Sequence, residues 1–162
     1  MKPTGSLITV DGRSALRFER QLNSPIERVW RAVTAPEELA RWFVVPIEWT
    51  PSAGETFESF GAVGTVTELD EPRLVAWEWN GDLFRFELTP NSGGCLLVFT
   101  HVFDDRSRAA EQAAGWDGYL EQLEMHLEHG EVREGEAFVA LSERHDAYAE
   151  TFGLDPPPRL SD

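Results

Sequence analysis

From Trp116 onward, apolar residues recur at helical spacing: Trp116, Tyr119, Leu120, Leu123 and Leu127. This predicts a long helix with one buried stripe. Between Ile47 and Phe103 the pattern is different, with short alternating runs broken by turn signals at Pro51 to Gly54, Gly61, Asp70 to Pro72, Asn80 to Asp82 and Asn91 to Gly94. That stretch reads as an antiparallel meander of about five strands, with Asn80-Gly81 and Asn91-Ser92-Gly93-Gly94 as hairpin connectors. A strand precedes it, because Leu16, Phe18, Arg20 and Leu22 alternate with Ala15, Arg17, Glu19 and Gln21. The strand leads into a helix with an explicit start, in which Ser24 can cap, Pro25 fits the first helical position and Glu27 completes a capping box. Its buried stripe is Ile26, Val29, Trp30 and Val33, and Pro36 divides it from a second short helix over Glu37 to Phe43.

The long helix starts at Asp104 to Ser107 and ends near Gly130. Gly115 and Gly118 lie inside it, each costing roughly 1 kcal/mol relative to Ala. Either backbone approaches the sheet or a ligand closely there, or the cost is simply tolerated. Beyond Gly130, Phe138, Leu141, Tyr148 and Phe152 give a narrower helical stripe that Gly153 can terminate, followed by the run Pro156-Pro157-Pro158. The organisation expected is a flexible leader over 1–14, one α+β domain over 15–130, an additional helix over 131–153 packed on the domain or on a partner, and a proline-rich tail over 154–162.

The chain has 162 residues, 41% of them hydrophobic and 27% charged, which suits one globular domain with its own core. A net charge of −15 at pH 7 argues against a nucleic-acid partner, which would call for clustered Lys and Arg. No apolar run reaches the roughly 20 residues of a membrane helix, and no secretory pattern opens the chain, so membrane insertion is not expected and a cytoplasmic location is. Cys95 is the single cysteine and sits among Leu96, Leu97 and Val98 as an ordinary strand residue. His126 and His129 are three apart on a helix, but no third ligand or HExxH spacing accompanies them. Their region reads as the solvated side of the helix, with no metal and no cofactor expected. Nucleotide-binding and nucleophile-elbow motifs do not occur.

Several motifs follow in a fixed order. They are Ser24-Pro25-Ile26-Glu27-Arg28-Val29-Trp30, Leu39-Ala40-Arg41-Trp42-Phe43, Gly54-Glu55-Thr56-Phe57, Gly64-Thr65-Val66, Pro72-Arg73-Leu74-Val75, Leu97-Val98-Phe99-Thr100-His101 and Gly115-Trp116 with Leu120 and Leu123. In this the chain resembles a bacterial single-domain member of the activator of heat-shock protein 90 ATPase homologue-like family, within the START-like or SRPBCC superfamily. The resemblance spans roughly residues 15 to 130. It implies a helix-grip, Bet v 1-like fold, in which a curved antiparallel sheet wraps a long C-terminal helix, two short helices follow the first strand, and an apolar cavity lies between sheet and helix. Relatives include lipid carriers, hormone receptors, polyketide cyclases, oxygenase domains and co-chaperones, so fold alone does not assign an activity. A chaperone partner is the least transferable implication, since eukaryotic relatives with that role carry additional chaperone-binding sequence.

Strand alternation then nominates the cavity wall. Val75, Trp77 and Trp79, then Phe84, Phe86 and Leu88, then Leu97, Phe99, His101 and Phe103 face inward from successive strands. Phe57 lies on a neighbouring strand, Trp42 and Phe43 close the mouth, and Trp116, Tyr119, Leu120 and Leu123 supply the helical side. Such aromatic walls suit a small hydrophobic, aromatic or lipid-like ligand, or the rings pack solidly against one another. No catalytic residue stands out. His101 could carry a proton in a cyclase- or dehydratase-like reaction or be satisfied by a neighbouring carbonyl or carboxylate, and Tyr119 is a second candidate. Glu78 lies between Trp77 and Trp79 and should face away from them. An interaction or co-chaperone role through the outer sheet surface is a third reading, and the helix over 131–153 could cover the cavity mouth or build a homodimer.

Overall fold

In the computed structural model, residues 4–43, 54–59, 61–130 and 141–154 are described. The chain runs β1 (Ser6–Val10), β2 (Arg13–Leu22), α1 (Ile26–Thr34), α2 (Pro36–Trp42), β3 (Thr56–Ser59), β4 (Ala62–Asp70), β5 (Leu74–Trp79), β6 (Asp82–Asn91), β7 (Gly94–Phe103), a 3-10 turn (Arg106–Arg108), α3 (Ala109–His129) and α4 (Leu141–Phe152). The strands form one seven-stranded antiparallel sheet in the order β1-β2-β7-β6-β5-β4-β3. Each meander strand pairs with the next through a tight turn, and only β2 crosses to meet β7. The concave face buries Leu16, Phe18, Leu88, Leu97 and Phe103 against α3, while α1 and α2 cap one end. This is the helix-grip arrangement.

Three expectations need correction. The leader is not loose, because Ser6–Val10 pairs with β2. Asp11 and Gly12 both adopt positive φ, which makes the two-residue turn that such a hairpin requires. The capping box at the start of α1 does not form. Pro25 is itself the N-cap, with no side-chain bond, and its carbonyl accepts from the amides of Arg28 and Val29. Finally, Leu141 is exposed rather than part of the α4 stripe, while Phe138 and most of the proline-rich tail lie outside the described residues.

The end of α3 matches its sequence signal, since Gly130 adopts the left-handed conformation and its amide bonds the His126 carbonyl. α4 packs on α3 through buried polar pairs. The Tyr148 hydroxyl donates to Asp117 Oδ2 at 2.5 Å and accepts from the Gly5 amide at 2.8 Å. Burial, reinforced by the bond to Asp117, pushes the Tyr148 phenol up to about 12, so it stays a neutral donor. Arg20 from β2 also bonds Asp117, at 3.0 Å, and Arg144 reaches Glu121 at 2.5 Å. The chain start, sheet, α3 and α4 thus share one polar seam. Cys95 is buried, and burial raises its thiol above the ordinary value.

Glu38 joins the three helices at the capped end. It accepts from Arg28 at 2.5 Å, Arg31 at 2.6 Å and His126 at 3.0 Å. His126 is therefore buried between α3 and α2 rather than on a solvated helix face, while the side chain of His129 is 71% exposed. Burial alone would raise the Glu38 carboxyl, but the bonds from His126, Arg28 and Arg31 outweigh it and hold it below its ordinary value. A depressed carboxylate stabilises the fold above the unfolded-state pKa, and that contribution disappears as pH falls through the folded-state value. Glu38→Ala should cost about 1–2 kcal/mol at neutral pH, because it leaves the buried His126 ring nitrogen without its acceptor and removes the shared partner of the more exposed Arg28 and Arg31. Urea unfolding should show the gap to wild type narrowing from pH 6 toward pH 3, and a gap independent of pH would contradict this role for Glu38.

Candidate functional site

Register sorts the concave face into transverse rows, because paired residues on antiparallel strands point the same way. One row runs Asp82, Trp79, Gly64 and Phe57 across β6, β5, β4 and β3. The next runs His101, Phe84, Trp77 and Val66 across β7 to β4. A third runs Phe18, Phe99, Phe86 and Val75. The first two rows stand off from α3 and enclose a cavity of about 250 Å³, lined from the sheet by Phe57, Trp77, Trp79, Asp82, Phe84 and His101. From the helical side come Phe43, at the end of α2, and Gln112, Gly115, Trp116 and Tyr119 of α3. These four α3 positions fall three and four apart and so share one helix face. Gly64 makes room for Phe57, whose ring lies against the place a Cβ would take.

The third row is solid core. Phe99 meets Trp116 at 4.0 Å between ring centroids and Phe86 at 4.8 Å, so neither Phe86 nor Phe99 borders the cavity. Leu120 and Leu123 lie lower on α3 and are wholly buried there. Trp42 is 1% exposed, its indole donates to the Ala32 carbonyl at 2.8 Å, and its edge meets Phe86. It anchors α2 while its neighbour Phe43 turns to the cavity, stacked on Trp116 at 5.5 Å. Of the residues nominated from sequence, then, Phe43, Phe57, Trp77, Trp79, Phe84, His101, Trp116 and Tyr119 come together, and the others pack into the core.

At the centre of the wall is a hydrogen-bonded chain. The Trp116 indole N–H donates to His101 Nδ1 at 3.1 Å, and His101 Nε2 lies 2.9 Å from Asp82 Oδ2. An indole can only donate, so Nδ1 must accept, and the imidazole proton sits on Nε2 facing the carboxylate. Both ring nitrogens are engaged and His101 is 2% exposed. Its face stacks on Phe84 at 4.5 Å. His101 therefore holds Asp82 and Trp116 in place, and the polar group turned to the cavity is Asp82, whose side chain is 30% exposed. Tyr119 is half-buried at the edge of Phe43 and Trp116, and burial raises its phenol above the ordinary value. Glu78 is exposed on the opposite face of β5.

Residues 23–128 match the sequence profile of the family described as activator of Hsp90 ATPase homolog 1-like protein. The chain belongs to this family. No curated protein sequence matches it significantly. Among solved structures, CalU16 from Micromonospora echinospora is similar at a TM-score of 0.74 and 23% identity, over 90% of this chain and 94% of that one. A conserved protein of unknown function from Enterococcus faecalis, EF2215, is similar at a TM-score of 0.79 and 18% identity, over 92% and 90% of the two chains. DynU16, from the dynemicin biosynthetic locus, is similar at a TM-score of 0.66 and 22% identity, over 73% of this chain and 48% of its own. At these identities the likeness is one of fold.

A likeness of fold leaves the wall chemistry to the individual sequence. Asp82 and Gln112 complete this wall without having been expected there, beside Phe84, which alternation turned inward, and Gly115, which stood out in the helix pattern. Asp82 looked like part of a turn, yet it has the parity of Phe84 and Phe86, and parity alone would have turned it inward. Trp116→Phe removes the donor to a buried nitrogen and should cost about 2 kcal/mol. In nitrogen-resolved NMR, wild-type His101 should show Nδ1 unprotonated and Nε2 protonated, and the variant should lose that single-tautomer signature. An Nδ1-protonated imidazole in the wild type would overturn the assigned chain.

Proposed function

We propose that the protein binds a small aromatic or otherwise planar hydrophobic molecule in the cavity between sheet and α3. The observation that carries this reading is Gly115. It lies in the middle of a 21-residue helix, faces the cavity, and has nothing within 4 Å of where a Cβ would be. Alanine would fit there and would favour the helix by roughly 1 kcal/mol, so glycine forgoes stability at the one turn where a side chain would occupy the void. No close approach of backbone to sheet accounts for it. The cavity volume is just under the range of about 300–1,000 Å³ typical of small-molecule sites, which favours a compact occupant of a few rings over a long acyl chain. The biosynthetic-locus setting of the similar DynU16 supports a small-molecule context.

A second reading, proton transfer to or from a bound molecule in the manner of a cyclase or dehydratase, rests on Asp82. A carboxylate that reaches the cavity and is steadied by His101 has the geometry of a general base, whereas His101, with both nitrogens engaged, does not meet a ligand through either. Binding is common to both readings and is tested first. Gly115→Ala should raise the unfolding free energy by about 0.5–1 kcal/mol. Gly115→Leu should fold equally well but fill the void. Native mass spectrometry of the protein purified from its own host should reveal a small-molecule adduct on wild type that Gly115→Leu lacks. An adduct retained at full occupancy by Gly115→Leu would contradict binding in this cavity.

A further inference from the structure

We infer that the cavity selects aromatic molecules bearing a hydrogen-bond donor, cationic or neutral, and rejects those bearing a carboxylate. This rests on the binding reading above and adds the chemistry of the ligand. Among the described residues the wall contains one carboxylate, Asp82, and no Lys or Arg. Asp82 Oδ2 is occupied by His101, and its second oxygen has no partner among the described residues. Because His101 is held from behind by the donor-only indole of Trp116, it cannot turn to release Asp82 or offer Nδ1 to a ligand. The carboxylate therefore presents a fixed acceptor at the rim of an otherwise aromatic space.

A ligand hydroxyl or ammonium satisfies that acceptor, and an aromatic lining adds attraction for a cation. A ligand carboxylate would set two like charges side by side against a largely aromatic wall that holds no cationic side chain among the described residues. Arg13 lies outside the wall and feels the charge of Asp82, but its guanidinium hydrogen bonds go to Asp104 at 2.8 Å and to the Gly81 carbonyl at 2.7 Å, so it offers no donor to a ligand in the cavity. The overall charge of −15 works in the same direction by drawing in cations and repelling anions. Fatty acids and aromatic acids are thus excluded, and aromatic amines and phenols are admitted.

Four naphthalene probes of matched size test this by calorimetry at pH 7: a naphthylmethylammonium, a naphthol, a methoxynaphthalene and a naphthoate. Wild type should bind the ammonium and the naphthol about tenfold or more tighter than the naphthoate, with the methoxy compound between them. Asp82→Asn keeps an acceptor for the His101 Nε2–H while turning an amide donor to the cavity. It should abolish the advantage of the ammonium and bring the naphthoate to within about threefold of the naphthol. Equal wild-type affinities across the four probes, or an unchanged ranking in Asp82→Asn, would overturn the selection while leaving the cavity as a binding site. Failure of all four to bind wild type would overturn both. The wild-type ranking decides the matter by itself should the variant fold poorly.

Discussion

The indole of Trp116 sets the separation between helix and sheet. It is fixed along its edge by the hydrogen bond to His101 and along its faces by Phe99 below and Phe43 above. Without that three-way fixation the apolar stripe of α3 could settle onto the strands and close the remaining gap, since burying aromatic surface is favourable by roughly 25 cal/mol per Å². The same ring bounds the solid core on one side and the cavity on the other. The wall of the site and the stability of the fold therefore depend on one side chain.

A polar bond in such a place is conditional. A buried imidazole is tolerable only when both nitrogens find partners, and here one partner belongs to the helix and the other to the first residue of β6. The arrangement links an element from the middle of the chain to one near its end and specifies which residue of α3 lies above which strand. The Glu38 cluster does the same at the capped end of the sheet, and the Asp117 cluster does so beneath α4. Three polar anchors around an aromatic interior give the helix a defined height and rotation, which apolar packing alone specifies weakly.

Much of this was legible in the sequence. Alternation gave the face of the inward aromatic residues on β5, β6 and β7, though not of Asp82, and the glycine after His129 gave the end of α3. What alternation cannot give is the row. Phe84 and Phe86 have the same parity on the same strand, yet one borders the void and the other is core, because register places Phe84 beside His101 and Phe86 beside Phe99. Trp42 and Phe43 were equally opaque, since a helix end sends adjacent side chains in different directions and only the Ala32 carbonyl tells which one is anchored. Gly115 was visible as an anomaly, but its meaning required seeing that nothing approaches it. The strand Ser6–Val10 was missed although Ile8-Thr9-Val10 is a β-branched run, because it is only five residues long and the Asp11-Gly12 turn that pairs it with β2 was not read as a hairpin connector.

The central claim is that the space between Trp77, Phe84, Gly115 and Trp116 is an apolar void and not rings in contact. A crystal structure of the ligand-free protein under xenon pressure tests it most directly, because xenon occupies apolar space of this kind and makes no hydrogen bonds. The account predicts a xenon atom bounded by Trp77, Phe84 and the Gly115 backbone, with Trp116 still bonded to His101. A crystal structure in which Trp79 or Tyr119 has swung inward to fill that space, leaving no xenon site, would contradict it.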